Sequence, residues 1–146
     1  SVNRKAWCWG GNGFGQLGTG AAGGSVNTPT AVSTAVVSGF TRLYAGEFHT
    51  CGLTVEGVAY CWGRNDRGQL GNSTFANSAE PVAVTATTDG PRRFRNLALG
   101  ELFTCGVVTL TGEGPSQVGT PGTEGSVYCW GDNEYGQLGQ GVFSMA

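Results

Sequence analysis

The sequence predicts an all-β protein, and three observations lead to that prediction. A twelve-residue phrase occurs three times in the 146 residues, as WCWGGNGFGQLG, YCWGRNDRGQLG and YCWGDNEYGQLG. The 27 glycines recur at fixed places beside aromatic residues, which is typical of many tight turns between short strands. Helical periodicity is weak throughout, whereas short runs that alternate apolar and polar residues are frequent.

The repeated unit spans about 50 residues and holds four predicted strands. Trp9, Trp62 and Trp130, which follow the cysteine of each phrase, are separated by 53 and 68 residues. A second element, RLYAGEFHTCGL, returns 54 residues later as NLALGELFTCGV. In the middle copy the predicted strands cover residues 40–45, 48–55, 58–63 and 81–87. Four short strands in a unit of this length predict one blade of a β-propeller.

The chain is predicted to divide into three blade segments. Residues 1–39 form a partial blade, 40–93 a complete blade, and 94–146 a third blade with an insertion at 109–126. The insertion explains the longer second spacing, because nine residues separate the two cysteines of the middle copy and 23 those of the last. Its Gly, Ser, Thr and Pro residues predict an extended loop at the blade rim, where recognition and a merely tolerated insertion both remain open.

The repeated phrase is predicted to build the blade core. Each tryptophan would fill the wedge between adjacent sheets and contribute about 2–3 kcal/mol through burial. A leucine from each phrase would anchor its loop in the core. The predicted core residues of the repeat are Trp9, Trp62, Trp130, Leu17, Leu70 and Leu138. A phosphate-binding role for the glycine-rich loops is the weaker interpretation, since no Lys-Ser/Thr pair and no helix follow the glycines.

The spacing of two cysteines fits a tight hairpin in the middle copy. A three-residue loop at 55–57 makes Thr54 face Val58, with a left-handed glycine at the end of the loop. Counting back along both strands places Cys51 directly opposite Cys61. Facing residues on neighbouring strands can be bridged when their geometry is favourable.

Facing cysteines can form a disulfide, remain free thiols or bind a metal. Cys105 and Cys129 occupy the same two places in the last copy, whereas Cys8 has no upstream counterpart in the chain. A Cys-x₉-Cys pair with a single histidine does not supply four zinc ligands at the usual spacing. We therefore favour two disulfides, with Cys8 unpaired within the chain. Disulfides of this kind predict an oxidising compartment, outside the cell or in a secretory lumen.

The phrase Trp-Gly-x-Asn-x-x-Gly-Gln-Leu-Gly, with an upstream Gly-x-x-His-Thr-Cys-x-Leu, resembles the regulator of chromosome condensation repeat family. The resemblance implies a seven-bladed β-propeller with four-stranded antiparallel blades, of which this chain supplies two to three. Cysteine beside the tryptophan is more similar to secreted and cell-surface members than to nuclear ones. The rest of a longer polypeptide, or several chains, would complete the ring, because an open stack of blades leaves sheet faces and strand edges bare.

No catalytic, cofactor or metal site is predicted. The single histidine, His49, is replaced by Phe103 in the next copy, which favours a structural hydrogen bond between blades over catalysis. The ten acidic residues form no repeated pair, and no Gly-x-Ser-x-Gly elbow is present. A net charge of −2 provides no basic stripe for nucleic acid, and no apolar run approaches the roughly 20 residues that span a membrane.

The sequence thus predicts a non-enzymatic, extracellular propeller segment that acts as a structural or protein-binding scaffold, in one version within a surface filament or coat. Its partners would be protein, either the remainder of a longer chain or other subunits that complete the propeller. The alternative is an intracellular propeller of the guanine-nucleotide exchange or chromatin-binding type, with reduced cysteines. Asn72, in the Asn-Ser-Thr sequence, is a glycosylation sequon if a eukaryotic host secretes the protein.

Overall fold

The computed structural model describes residues 4–85, 92–109 and 125–141, which fold into three antiparallel sheets. The strands are β1 (Trp7–Gly11) and β2 (Ser25–Ala31) in the first sheet, β3 (Arg42–Ala45), β4 (His49–Leu53), β5 (Ala59–Gly63) and β6 (Ser78–Ala83) in the second, and β7 (Arg93–Leu99), β8 (Phe103–Thr109) and β9 (Val127–Gly131) in the third. The predicted all-β class is confirmed. Residues 110–124, which make up most of the predicted insertion, lie outside the described part of the chain.

The outer strand of the second sheet begins earlier than predicted. The sequence placed it at 81–87, whereas β6 spans Ser78–Ala83 and residues 86–87 lie outside the described ranges. Pro81 therefore lies within the strand. Its neighbour Val82 faces Cys61 of β5, so the proline nitrogen points to the outer side of the sheet, where no strand of the described residues requires an N–H.

The predicted hairpin between β4 and β5 is confirmed in loop and register. The Thr54 N–H donates to the Val58 carbonyl at 3.0 Å, and Gly57 takes the left-handed conformation with φ of 79°. From that hydrogen-bonded pair the ladder alternates along the strands. Cys51 faces Cys61 in a non-hydrogen-bonded pair, the type in which facing side chains approach most closely.

The same aromatic pair packs at both junctions between sheets. The rings of Phe40 and Trp62 lie 5.4 Å apart at the first junction, and those of Phe94 and Trp130 lie 5.8 Å apart at the second. The first core also contains Ala6, Val32 and Val37, and the second contains Leu53, Ala59, Leu70, Leu97 and Val108. Consecutive sheets therefore pack against each other through the same Phe–Trp pair of each repeat, as stacked propeller blades require.

The predicted core residues differ in how far they are buried. Trp62, Leu70 and Leu17 are buried, and Trp130 and Leu138 are half-buried. The prediction for Trp9 was wrong in this structure, because 60% of its surface is exposed. In the first sheet β1 pairs only with β2, so no described strand covers the other side of β1. The equivalent tryptophan of the second sheet, Trp62, is covered because Phe40 and the core residues of the first sheet pack against it.

Candidate interaction surfaces

One backbone carbonyl in each of the first two phrase loops accepts hydrogen bonds from the next sheet. The Thr104 hydroxyl donates to the Gln69 carbonyl at 2.9 Å, and the Trp130 indole Nε1–H donates to the same oxygen at 3.0 Å. At the preceding junction the Thr50 hydroxyl donates to the Gln16 carbonyl at 2.8 Å. Sequence reasoning missed these threonines, although both stand in a repeated Thr-Cys-Gly triplet that pointed to them.

The asparagine and glutamine of the phrase hold the loop that presents this carbonyl. The Asn65 Oδ1 atom accepts the Leu70 N–H at 2.9 Å, and its Nδ2 donates to the Thr74 carbonyl at 2.9 Å. The Gln69 Oε1 atom accepts the Arg67 N–H at 2.9 Å. These bonds join the two side chains to the backbone of their own loop, and they satisfy amides that burial removes from water.

His49 makes the hydrogen bond between blades that the sequence predicted. Its Nε2 atom lies 2.8 Å from the Thr104 hydroxyl across the second junction, and the side chain is fully buried. Since the Thr104 proton is directed to the Gln69 carbonyl, the histidine donates from Nε2–H and the hydroxyl oxygen accepts. Burial lowers the pKa of His49 to about 4, which keeps the ring neutral at physiological pH.

Acid is expected to weaken the second junction through His49. In the unfolded chain the imidazole takes a proton near pH 6.5, whereas in the folded chain it does so only near its lowered pKa of about 4. The unfolded state therefore binds more protons within that window, and stability is lost as the pH falls through it, by up to about 3 kcal/mol. Urea unfolding at a series of pH values measures the loss. His49→Phe, which installs the residue of the next copy, should remove this pH dependence, and an unchanged dependence in that variant would contradict the assignment.

Two cross-strand disulfides are present, at the same place in consecutive sheets. Cys51 bonds Cys61 with a Cα–Cα distance of 4.1 Å, and Cys105 bonds Cys129 with 4.0 Å. The first pair is the one that the hairpin register predicted, and the second is its predicted equivalent in the last copy. Cys8 is free and half-buried, and burial raises the pKa of its thiol. The described residues contain no group of three or more side chains that could bind a metal, and no helix long and apolar enough to span a membrane.

Cys8 lies in an open cleft between β1 and the second sheet. The cleft has a volume of about 430 Å³ and is lined by Trp7, Trp9, Leu43 and Thr50 among others. Trp7, Trp9 and Leu43 are large apolar side chains with 50%, 60% and 40% of their surface exposed. An apolar concentration of this kind marks a surface that another polypeptide can cover.

The sequon asparagine lies in the loop after the second phrase. The Asn72 Oδ1 atom accepts the Thr74 hydroxyl at 2.9 Å and Asn65 Nδ2 at 3.1 Å. The side chain is half-buried, while Ser73 and Thr74 are exposed. Ser73 has φ of 62°, so the chain turns sharply at the sequon.

A family model described as the regulator of chromosome condensation (RCC1) repeat matches residues 5–53, 56–107 and 124–144. The chain belongs to the RCC1 repeat family. The first RCC1 repeat, 5–53, holds β1–β4, and the second, 56–107, begins just before β5 and ends within β8. The second and third sheets are thus each shared by two consecutive repeats.

Two human proteins resemble this chain along nearly its whole length. The human E3 ubiquitin-protein ligase HERC2 is 31% identical over 144 residues, which are 97% of this chain and 3% of that protein. The human probable E3 ubiquitin-protein ligase HERC6 is 32% identical over 140 residues, or 95% of this chain and 12% of that protein. The chain therefore spans a small part of these relatives.

Solved structures with RCC1 repeats share the fold. Prp20p from Saccharomyces cerevisiae superposes with a TM-score of 0.72 at 23% identity, over 98% of this chain and 32% of that one. Human WBSCR16 gives 0.73 at 21% identity, over 99% and 34%. The chain thus has the fold of a segment of an RCC1 β-propeller.

Proposed function

We propose that this chain is a non-enzymatic, extracellular propeller segment that serves as a structural or protein-binding scaffold. The observation that carries the proposal is the disulfide at the same hairpin position in two consecutive sheets, Cys51–Cys61 and Cys105–Cys129. Such bonds form and persist in oxidising compartments and are rare in the cytosol and nucleus. Because the bond recurs at the same position of the repeated sheet, we take it as a regular feature of the repeat, and it supports an oxidising compartment for the whole segment.

Protein is the partner class that the surface favours. The net charge is −2, and the exposed large side chains near the first sheet are apolar and aromatic. Nucleic acid would instead select a cluster of Lys and Arg for its phosphates. The structure of Prp20p was reported with its binding properties to Gsp1p and histones, so proteins are partners within this fold.

The compartment is tested by the state of the thiols in the protein as its host produces it. Alkylation without reduction, followed by mass measurement, should label Cys8 alone and leave the four paired cysteines unmodified. The protein should also be recovered outside the cell. Labelling of all five cysteines, or retention in the cytosol, would overturn the extracellular assignment. The same spectrum shows whether Asn72 carries a glycan, which we propose for a eukaryotic host.

The second candidate is an intracellular propeller of the exchange-factor or chromatin-binding type. It is favoured by the reported binding of Prp20p to Gsp1p and histones. The two candidates require opposite states of the same cysteines, so the alkylation experiment decides between them. Five free thiols, together with binding to a small GTPase or to histones, would establish the second candidate.

A further inference from the structure

The repeated phrase varies at three places within a ten-residue core. Written as Trp-Gly-x-Asn-x-x-Gly-Gln-Leu-Gly, it has a first, a middle and a last variable position, and its other residues are the same in all three copies. In chain order, the residues are Gly11, Arg64 and Asp132 at the first variable position and Phe14, Arg67 and Tyr135 at the last. Within the phrase, only the variable positions can make the chemistry of one junction differ from that of another.

The backbone holds the first variable position at the same place in two sheets. The Arg64 N–H donates to the Phe48 carbonyl at 2.9 Å. In the next copy the Asp132 N–H donates to the Leu102 carbonyl, also at 2.9 Å. Phe48 and Leu102 are equivalent residues of the repeat, so the hydrogen bond is the same although the side chains differ.

The glutamine of the phrase fixes the last variable position in a similar way. The Gln16 Oε1 atom accepts the Phe14 N–H at 2.9 Å, and the Gln69 Oε1 atom accepts the Arg67 N–H at 2.9 Å. The backbone therefore presents different side chains from the same two places at each junction.

At the first junction the last variable position of one phrase meets the first variable position of the next. The guanidinium carbon of Arg64 lies 5.1 Å from the centroid of the Phe14 ring and 5.4 Å from that of Phe48. These distances allow cation–π attraction. Two hydrogen bonds to the Asp66 carboxylate, at 2.8 and 2.7 Å, hold the guanidinium in place.

At the second junction the same two positions meet with different chemistry. The Arg67 Nε atom lies 3.8 Å from the Asp132 Oδ1 atom, which makes an ion pair between consecutive phrases. The Asp132 side chain is only 5% exposed. Its other carboxylate oxygen accepts the Gln137 Nε2–H at 2.7 Å. An arginine and a carboxylate thus replace the aromatic ring and the arginine of the first junction.

We propose that these two positions form a pairing code, which decides which blade can pack after which. If the second blade packed against another copy of itself, Arg67 would face Arg64, and like charges repel. If the first blade packed against the third, the buried Asp132 carboxylate would lose its cation and lie near the Phe14 ring, whose face is negative. The code therefore favours the order of blades along the chain over mixed contacts between two copies of it.

The code specifies a neighbour by its chemistry. A blade with an aromatic residue at the last variable position accepts a basic residue from the next blade, and a blade with a basic residue there accepts an acidic one. This inference goes beyond the scaffold function and is independent of the compartment, because it involves no cysteine.

A double-mutant cycle at the second junction of the 146-residue chain tests the code. Asp132→Arg places a second guanidinium beside Arg67, and Arg67→Phe leaves a buried carboxylate without its cation. Each should raise the equilibrium constant of unfolding in urea by about tenfold or more. The double variant transfers the pair of the first junction to the second, where Glu134 takes the place that Asp66 has in the second phrase. Its unfolding constant should lie about tenfold or more below the product that the two single effects predict.

The matched control is Glu134→Arg, which makes the same change of charge in the same phrase. Glu134 is exposed at the middle variable position, so its reversal does not restore a partner to the buried site. The effects of Glu134→Arg and Arg67→Phe should therefore multiply. Rescue of Arg67→Phe by Glu134→Arg, to the same extent as by Asp132→Arg, would overturn the code in favour of a general effect of charge.

A second cycle at the first junction keeps the test decisive if a variant of the second fails to fold. Phe14→Arg alone brings two guanidinium groups together, and Arg64→Asp alone places a carboxylate beside two aromatic rings. Together they transfer the pair of the second junction to the first, and the double variant should again be about tenfold or more better than the product of the single effects. Single effects that simply multiply, at either junction, would overturn the proposal.

Discussion

Replacing Trp62 by alanine is expected to lower the free energy of unfolding by about 3–5 kcal/mol. The side chain is fully buried, contacts the Phe40 ring at a centroid distance of 5.4 Å, and fills the core of the first junction. Its indole nitrogen has no hydrogen-bond partner among the described residues, so lost packing and the resulting cavity account for the cost. Urea unfolding followed by circular dichroism measures the change.

The matched control is Trp9→Ala, which makes the same substitution one repeat earlier. With 60% of its surface exposed, Trp9 has little packing to lose, and its removal should change stability by no more than about 0.5 kcal/mol. An equal loss in the two variants would show that the first junction does not depend on Trp62 as the structure indicates.

Removal of both disulfides is expected to lower the free energy of unfolding by about 6 kcal/mol. The bridges close loops with sequence separations of 10 and 24 residues. In the chain-entropy description each bridge of this size contributes about 3 kcal/mol, because it restricts the unfolded chain. Variants with Cys51 and Cys61, or Cys105 and Cys129, replaced by alanine separate the two contributions, and urea unfolding measures each.

The matched control for the disulfide variants is Cys8→Ala. Cys8 is a free thiol at the same repeat position, so the substitution removes a cysteine without opening a loop. Its expected effect is below about 1 kcal/mol. If the paired variants proved no less stable than Cys8→Ala, the bridges could not contribute to the stability of the folded chain.

The sequence predicted the parts of the fold that depend on local spacing. The hairpin register from Thr54 and Val58 predicted the pair Cys51–Cys61, because side chains on facing strands follow a fixed count from the loop, and comparison between copies extended it to Cys105–Cys129. The absence of a counterpart in the next copy, where Phe103 stands, predicted a structural role for His49. The cysteine pairs and the role of His49 could be predicted because they depend on residues close in sequence or on comparison between copies of the repeat.

The sequence did not predict features that depend on which sheets stand side by side. The Gln69 carbonyl accepts bonds from Thr104 and Trp130, which lie 35 and 61 residues away. Every residue has a backbone carbonyl, so the identity of residue 69 does not indicate this contact. Only the folded arrangement of the sheets shows it. The exposure of Trp9 also escaped prediction, since the sequence treats the three phrases alike while the strands beside them differ.

The hairpin turn between β4 and β5 lies where one RCC1 repeat ends and the next begins, and it is an open site for proteases. The turn residue Val55 has 63% of its surface exposed, and exposed loop tips are where proteolytic cleavage concentrates. A single cut there would separate the polypeptide between two repeats. Because Cys51 and Cys61 are joined across that same hairpin, the disulfide would keep the two pieces covalently linked after the cut.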